Sequence, residues 1–409
     1  MKVGVWLNEN INPNTGGGFS YTEKLIELID QHQFSNAIDV VFISTLDEPI
    51  SLNKPVIYLA TSKIRKLNWM QDVVRRLSKK IGFLKSVHRT TVQSKTNEII
   101  RRATKILRSQ DIDIIYSLIQ MEKPLRDYPF ISTNWDLGHL TLNGFPEFVE
   151  HGEFEQREQW YRKDIREATA VFSDSEAGKR ELITHLGLSA DHIIVLPIFP
   201  GKVIQLKLTK EFQEQALLSF GISQNQYFFY PAQFWKHKNH KSLIRSFQKL
   251  SESNAQLDLV FTGSDKGEMN SIKALVHELE LDSKVKFLGF VSLEEMNTLY
   301  QNALALVMPS FLGPTNMPPM EARALNCPVL CSDHLGHKEQ LGDGAIYFNP
   351  NSCDEIYDAM KRILDPEFRS SLLEKAENEL EATRFRSDKV MSILEDNLQE
   401  VATFMNDSN

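Results

Sequence analysis

The sequence predicts an α/β protein made of two domains in tandem, each a parallel sheet covered on both faces by helices. Three observations carry that expectation. Short apolar runs alternate with helical periods along most of the 409 residues, and this alternation builds parallel sheets. The chain is longer than one hydrophobic core usually serves. The alternation also pauses near residue 200, where Leu196 to Gly201 holds two prolines and a glycine, and starts afresh at Tyr227.

In the first half, strands are expected at Val3 to Leu7, Asp39 to Ser44, Val56 to Ala60, Ile112 to Leu118, Phe130 to Asn134, Ala170 to Asp174 and Ile193 to Pro197. A helix near Phe19 to Gln31 places Tyr21, Leu25, Leu28 and Ile29 on one face. Further helices are expected at Phe154 to Thr169 and Glu176 to Leu186. In the second half, Tyr227 to Gln233, Leu257 to Thr262, Val285 to Val291, Ala303 to Ser310, Pro328 to Ser332 and Ala345 to Phe348 read as six strands. Helices at Asn239 to Leu250, Gly267 to Leu279, Leu293 to Asn302 and Pro318 to Leu325 separate the first five. The domains are set at residues 1–200 and 201–385. Everything after Asp354 reads as helical, and residues 386–409 are expected to return to the first domain.

An apolar share of 42% and a charged share of 24% are those of an ordinary globular protein, which argues against disorder and a disulfide scaffold. Cys327, Cys331 and Cys353 are odd in number and match no zinc spacing, so they suit a reducing compartment. The first seven residues turn polar at Asn8, too soon for a secretory leader, and no run of 18 apolar residues could span a bilayer. A cytoplasmic protein is expected. The net charge of −8 conceals one cationic block: Lys63 to Arg108 holds 14 Lys or Arg against two acids. Within it, Trp69, Val73, Leu77, Ile81 and Leu84 share helical spacing, which gives a basic amphipathic surface suited to an anionic membrane face. A core-facing stripe with a solvated basic back fits the same spacing. Nothing resembles a nucleic-acid recognition motif.

Ligands of open α/β sheets bind beyond the carboxyl ends of the strands, and three segments sit there. Thr15-Gly16-Gly17-Gly18 lies between the first strand and first helix, where glycines admit a ligand to the helix's positive end. Its spacing matches neither a dinucleotide fingerprint nor a P-loop, and a tight turn is the alternative. Gln233-Phe-Trp-Lys-His-Lys-Asn-His240 puts Lys236 and Lys238 after the second domain's first strand, with Asn239 as a helix cap. A solvated basic turn is the alternative there. Pro309 to Ala322 ends a strand, loops through Gly313, Pro314, Thr315 and Asn316, and opens a helix near Pro318. Amides from Thr315 to Met317 are expected to face an anion, and Glu321 either caps the helix or accepts ligand hydroxyls. Two such walls of lysine and helix ends suggest a ligand bearing a diphosphate. No metal-ligand spacing accompanies them.

These segments, with Val285-Lys-Phe-Leu-Gly-Phe-Val and Gly-Pro-Thr-Asn-Met-Pro-Pro-Met-Glu-Ala, resemble the GT4 family of retaining glycosyltransferases. In the first domain, Gly16 to Gly18, Trp135-Asp-Leu-Gly-His139 with Pro146-Glu-Phe, and Phe172-Ser-Asp-Ser-Glu176 extend the resemblance. It implies the GT-B fold, two Rossmann-like domains about a cleft. It also implies transfer of a sugar from a nucleotide diphosphate donor to an acceptor hydroxyl with retention, without a metal or other cofactor. Lys238 corresponds to the lysine that neutralises the diphosphate, Glu321 to the glutamate that binds ribose hydroxyls, and Gly17 and Gly18 to the loop facing the diphosphate and acceptor. Gly289, Phe290 and Val291 correspond to the segment that receives the base. Asp136 and His139 are the candidates for acceptor or donor-sugar contacts. A saccharide or lipid-linked saccharide is the expected acceptor, in polysaccharide or glycolipid assembly at the inner membrane face.

Three departures stand out. Gly313 replaces the first glutamate of the family's pair, Gln233 an arginine, and Trp135 the histidine of a His-Asp pair. Lys236 is therefore expected to supply a second cation in place of the arginine. A nucleotide-sugar epimerase or hydrolase, and a non-catalytic glycan-binding relative, are the competing functions.

Overall fold

The computed structural model describes residues 1–7, 17–46, 49–59, 98–121, 123–125, 127–382 and 385–407. Two parallel sheets follow one another along the chain. The first joins β1 (Lys2–Trp6), β2 (Asp39–Ser44), β3 (Val56–Tyr58), β4 (Ile114–Gln120), β5 (Phe130–Asn134), β6 (Ala170–Ser173) and β7 (Ile193–Val195) in the order β3-β2-β1-β4-β5-β6-β7. The second joins β8 (Tyr227–Pro231), β9 (Asp258–Thr262), β10 (Val285–Phe287), β11 (Ala305–Met308), β12 (Val329–Ser332) and β13 (Ala345–Phe348) in the order β10-β9-β8-β11-β12-β13. In both, the order reverses beside the first strand, which opens a crevice at the carboxyl edge. The fold is the expected pair of Rossmann-like domains.

The apolar runs become central strands because both faces of each sheet are covered. Tyr227 to Tyr230 are fully buried, and Leu243, Ile244 and Phe247 of helix His240–Ser251 pack into the same core. On one face of the first sheet lie Tyr21, Leu25 and Ile29, the stripe read from the sequence, together with Val390, Leu394, Leu398 and Val401 of helix Ser387–Asp407. That last helix is tied down by Glu395, which accepts from the Ser35 amide at 2.8 Å and pairs with His32 Nε2 at 3.0 Å. Ala103 and Leu107, from a helix over 98–109, line the other face with Trp160, Tyr161 and Leu182.

Most bounds fall within two residues of expectation, and three elements differ by more. The strand expected to run to Val291 ends at Phe287, because Gly289 takes a left-handed φ of +70° and turns the chain out of the sheet. The helix expected to reach Thr169 stops at Arg162, and a 3-10 turn at Asp164–Glu167 completes the connection. A helix at Leu335–Leu341, unforeseen, fills the crossover between β12 and β13. Gly16 and residues 63–97 of the cationic block lie outside the described residues. No helix among the described residues is long and apolar enough to cross a membrane.

Candidate active site

Loops from the carboxyl edges of both sheets enclose a cavity of about 530 Å³. Gly18, Asp136, Lys238, Gly289, Phe290, Val291, Thr315, Asn316, Met317 and Glu321 all line it. Gly17 opens the first helix. Two other sequence candidates stand apart from that lining. Lys236 is exposed on the turn Lys236–Lys238. His139 is fully buried behind the wall, stacked on Tyr161 with ring centroids 4.9 Å apart and 3.4 Å from Glu158.

Lys238 is positioned by its own backbone. Its carbonyl accepts from the Tyr230 hydroxyl at 2.9 Å, and the next residue, Asn239, adopts φ +60°. The Asn239 side chain does not cap the following helix. It donates instead to the carbonyls of Pro309 and Pro350, at 3.1 and 2.8 Å. The Lys238 ammonium donates to Asn316 Oδ1 at 3.3 Å. Burial lowers its pKa to about 8, against the opposing fields of Asp136 and Glu147.

The loop after β11 offers fewer backbone donors than its sequence suggests. The Asn316 amide donates to Gln340 Oε1 at 3.2 Å, and Gln340 Nε2 returns a bond to the Asn316 carbonyl at 3.2 Å. Pro318 and Pro319 carry no N–H. Of the expected row from Thr315 to Met317 the Asn316 amide is thus engaged, and further into the first turn of helix Met317–Ala324 only Met320 adds a backbone donor. Charge at this wall comes chiefly from Lys238.

Glu321 is buried, and its Oε2 accepts from the Tyr300 hydroxyl at 2.9 Å. Burial raises its pKa, countered by Tyr300 and the Gly201 backbone. On the opposite wall the Asp136 carboxylate accepts from Gly138 N at 2.8 Å, Arg157 Nη1 at 2.9 Å and Gln120 Nε2 at 3.0 Å. Burial alone would raise the Asp136 pKa, but Arg157 and these donors hold it below the usual range. Asp136 is thus a fixed anion rather than a mobile base.

Several of these partners were not singled out as site residues in the sequence. Glu147, Asp174 and Glu339 join the two domains: Glu147 to His237, Asp174 to the Thr315 hydroxyl, and Glu339 to the amides of Glu176 and Ala177 at 2.8 and 2.9 Å. Glu147 and Asp174 lie inside motifs that carried the resemblance, and Asp174 directly follows β6, a position at a strand end that was an available signal. His337 and Gln340 sit on the unforeseen helix. Among the described residues no group of three or more His, Cys, Asp or Glu is arranged to hold a metal ion.

Fold and site together define a two-domain GT-B architecture with a lysine-bearing cleft. The family model described as "Glycosyl transferases group 1" matches residues 217–379, which span the second sheet. The O-antigen chain mannosyltransferase RfbU of Salmonella typhimurium is 36% identical over 140 residues, 34% of this chain and 39% of that protein. O-antigen chain mannosyltransferase B of Escherichia coli is 23% identical over 60% of this chain and 63% of its own length. The chain thus spans less than two thirds of the length of these curated relatives. Among solved structures, Anabaena Alr3699/HepE in complex with UDP and glucose superposes with a TM-score of 0.64 at 15% identity, over 98% of this chain and 100% of that one. At that identity the likeness is one of fold.

Proposed function

We propose that the protein is a retaining glycosyltransferase that moves a sugar from a nucleotide diphosphate donor to an acceptor hydroxyl. The observation that carries this reading is the Lys238 ammonium on the wall of an interdomain cavity, with the buried Glu321 lining the same space. In the reaction the bond between the anomeric carbon and the diphosphate oxygen breaks, and its electron pair stays on that oxygen. Lys238 neutralises the growing charge, an effect worth on the order of 3 kcal/mol for one well-placed donor. The acceptor oxygen bonds to the same face of the sugar, and its proton passes to the departing phosphate oxygen. Glu321 accepts from ribose hydroxyls, the Gly289 to Val291 loop receives the base, and Asp136 contacts the acceptor or donor sugar.

The two relatives described above are named O-antigen chain mannosyltransferases, which favours a mannosyl nucleotide as donor and a saccharide or lipid-linked saccharide as acceptor. HepE is described with UDP and UDP-glucose, which supports a nucleotide-sugar donor of some kind. The charge asymmetry of residues 63–108 supports contact with an anionic membrane at the inner face, where a lipid-linked acceptor would lie. The scheme assigns no step to a metal.

Thermal shift with UDP, GDP, UDP-glucose and GDP-mannose selects the donor, and mass spectrometry of acceptor mixtures then follows the sugar. One nucleotide should raise the melting temperature, and Lys238→Ala should abolish that shift. A protein that responds to none of them, or that releases nucleotide at full rate without any acceptor, would overturn the proposal.

A further inference from the structure

We infer that His337 is a positioning residue for the cation of the cleft: acting through the side-chain amide of Asn316, it fixes where the Lys238 ammonium sits. This rests on the reading of Lys238 as the diphosphate's partner.

The chain of contacts admits one arrangement of protons. His337 is fully buried on helix Leu335–Leu341, and its Nδ1 lies 2.7 Å from the Ser332 carbonyl. A carbonyl only accepts, so Nδ1 carries the proton and the neutral ring presents a lone pair at Nε2. Burial, with His334 and Lys238 nearby, keeps the ring neutral by lowering its pKa to about 3. Nε2 lies 2.9 Å from Asn316 Nδ2, which is also 3.0 Å from the Leu312 carbonyl. Both neighbours require a donor, so the amide's NH2 must face them. Its oxygen is thereby turned to the Lys238 ammonium at 3.3 Å. A flipped amide would set NH2 against ammonium, donor against donor.

The surrounding backbone leaves these groups little room. A Cβ on Gly313 would come within 2.7 Å of Asn316 Nδ2 and 2.9 Å of His337 Nε2. One on Gly336 would overlap the Pro314 carbonyl at 1.4 Å. Both positions need glycine so that the loop after β11 can lie against the histidine's helix. The chemical consequence lies in the choice of partner. A carboxylate beside Lys238 would compete with an incoming diphosphate, whereas a neutral amide oxygen orients the ammonium and leaves its charge uncompensated.

Calorimetric titration with UDP and GDP tests this on the full chain. His337→Leu should weaken binding of the preferred nucleotide about tenfold. His337→Gln, which can offer an oxygen to Nδ2, should restore most of it. In an Asn316→Ala background His337→Leu should cost nothing further, because its effect passes through that amide. Additive losses, or no rescue by glutamine, would mark a merely structural role and overturn the inference. Wild-type binding by His337→Leu would also overturn it while leaving the lysine reading intact. If instead Lys238→Ala binds as tightly as wild type, the lysine reading itself fails. The unmodified protein offers an independent check should the leucine variant not fold. Ring 15N spectra of histidine-labelled protein, with His337→Gln used for assignment, must place the His337 proton on Nδ1, and a proton on Nε2 would sink the idea.

Discussion

One oxygen of Glu147, in the first domain, receives both the backbone amide and Nδ1 of His237 in the second, at 2.8 and 2.6 Å. His237 is the residue before Lys238, so this pair ties the cleft's cation to the opposite domain. Burial would raise the Glu147 pKa, but the two bonds from His237 outweigh it and hold the carboxylate below its usual range. Glu147→Ala leaves a buried imidazole N–H without its acceptor, a loss of about 2 kcal/mol for a hydrogen bond to a charged group. Closure of the domains should weaken correspondingly, read as a larger radius of gyration in solution scattering and a higher donor KM. Because the shift is downward, the tie is present above the ordinary glutamate range and is lost only as pH falls through the lower, folded value.

Lys238 should impose opposite pH trends on binding and on stability. With its pKa lowered to about 8 by burial, the free protein loses the ammonium above that pH. Nucleoside diphosphate affinity should then fall about tenfold per pH unit. The same depressed value means that the unfolded chain holds more protons than the native one between about pH 8 and the ordinary lysine value near 10.4. This group's contribution to stability therefore rises across that window. Titrations from pH 6.5 to 9.5 check the first trend, and Lys238→Ala should flatten it. A wild-type affinity independent of pH would refute it.

The two lysines of the basic turn should behave differently. Lys236 is exposed and stands apart from the cavity lining, whereas Lys238 lines it. Lys236 was expected from the sequence to stand in for the arginine replaced by Gln233, but its placement argues for a minor role. Lys236→Ala should stay within about threefold of wild-type kcat/KM, while Lys238→Ala loses about a hundredfold, as for a removed oxyanion donor. A comparable loss from both would restore the two-cation reading.

The sheets were legible because short strand-like runs alternate with helical periods, the pattern of a parallel sheet covered by helices. Asp39–Ser44, Phe130–Asn134 and Ala345–Phe348 coincide with expectation residue for residue. Helix Leu335–Leu341 was not, because seven residues that include Gly336, His337, Lys338 and Glu339 show no apolar period. Lys238 and Glu321 could be picked out because each lies in the segment that follows a strand's carboxyl end, within a motif that carried the resemblance. The pairings between the domains could not, since Glu147 meets His237 across 90 residues and Thr315 meets Asp174 across 141. Such pairings depend on how the domains dock, which no local pattern encodes. The donor-poor helix end shows the same limit, for its prolines were visible but Gln340 was not.

Gly313 gives the sharpest test of whether this cleft is a degraded version of its relatives or a different solution. If the resembled family's glutamate had simply been lost, Gly313→Glu should restore a sugar contact and raise activity. The structure argues against that outcome, since the space a side chain would need is held by Asn316 Nδ2 and His337 Nε2. Forcing a side chain between them is overpacking, at a cost of about 1–3 kcal/mol, and it also breaks the contact that aims the Asn316 oxygen. Both Gly313→Ala and Gly313→Glu should therefore melt earlier and show a higher donor KM. Adding His337→Ala to Gly313→Ala should recover part of the melting temperature, because the smaller residue vacates the contested volume, yet donor affinity should stay low because the amide has lost its guide. A Gly313→Glu protein as stable as wild type and faster in transfer would show the position to be an open vacancy.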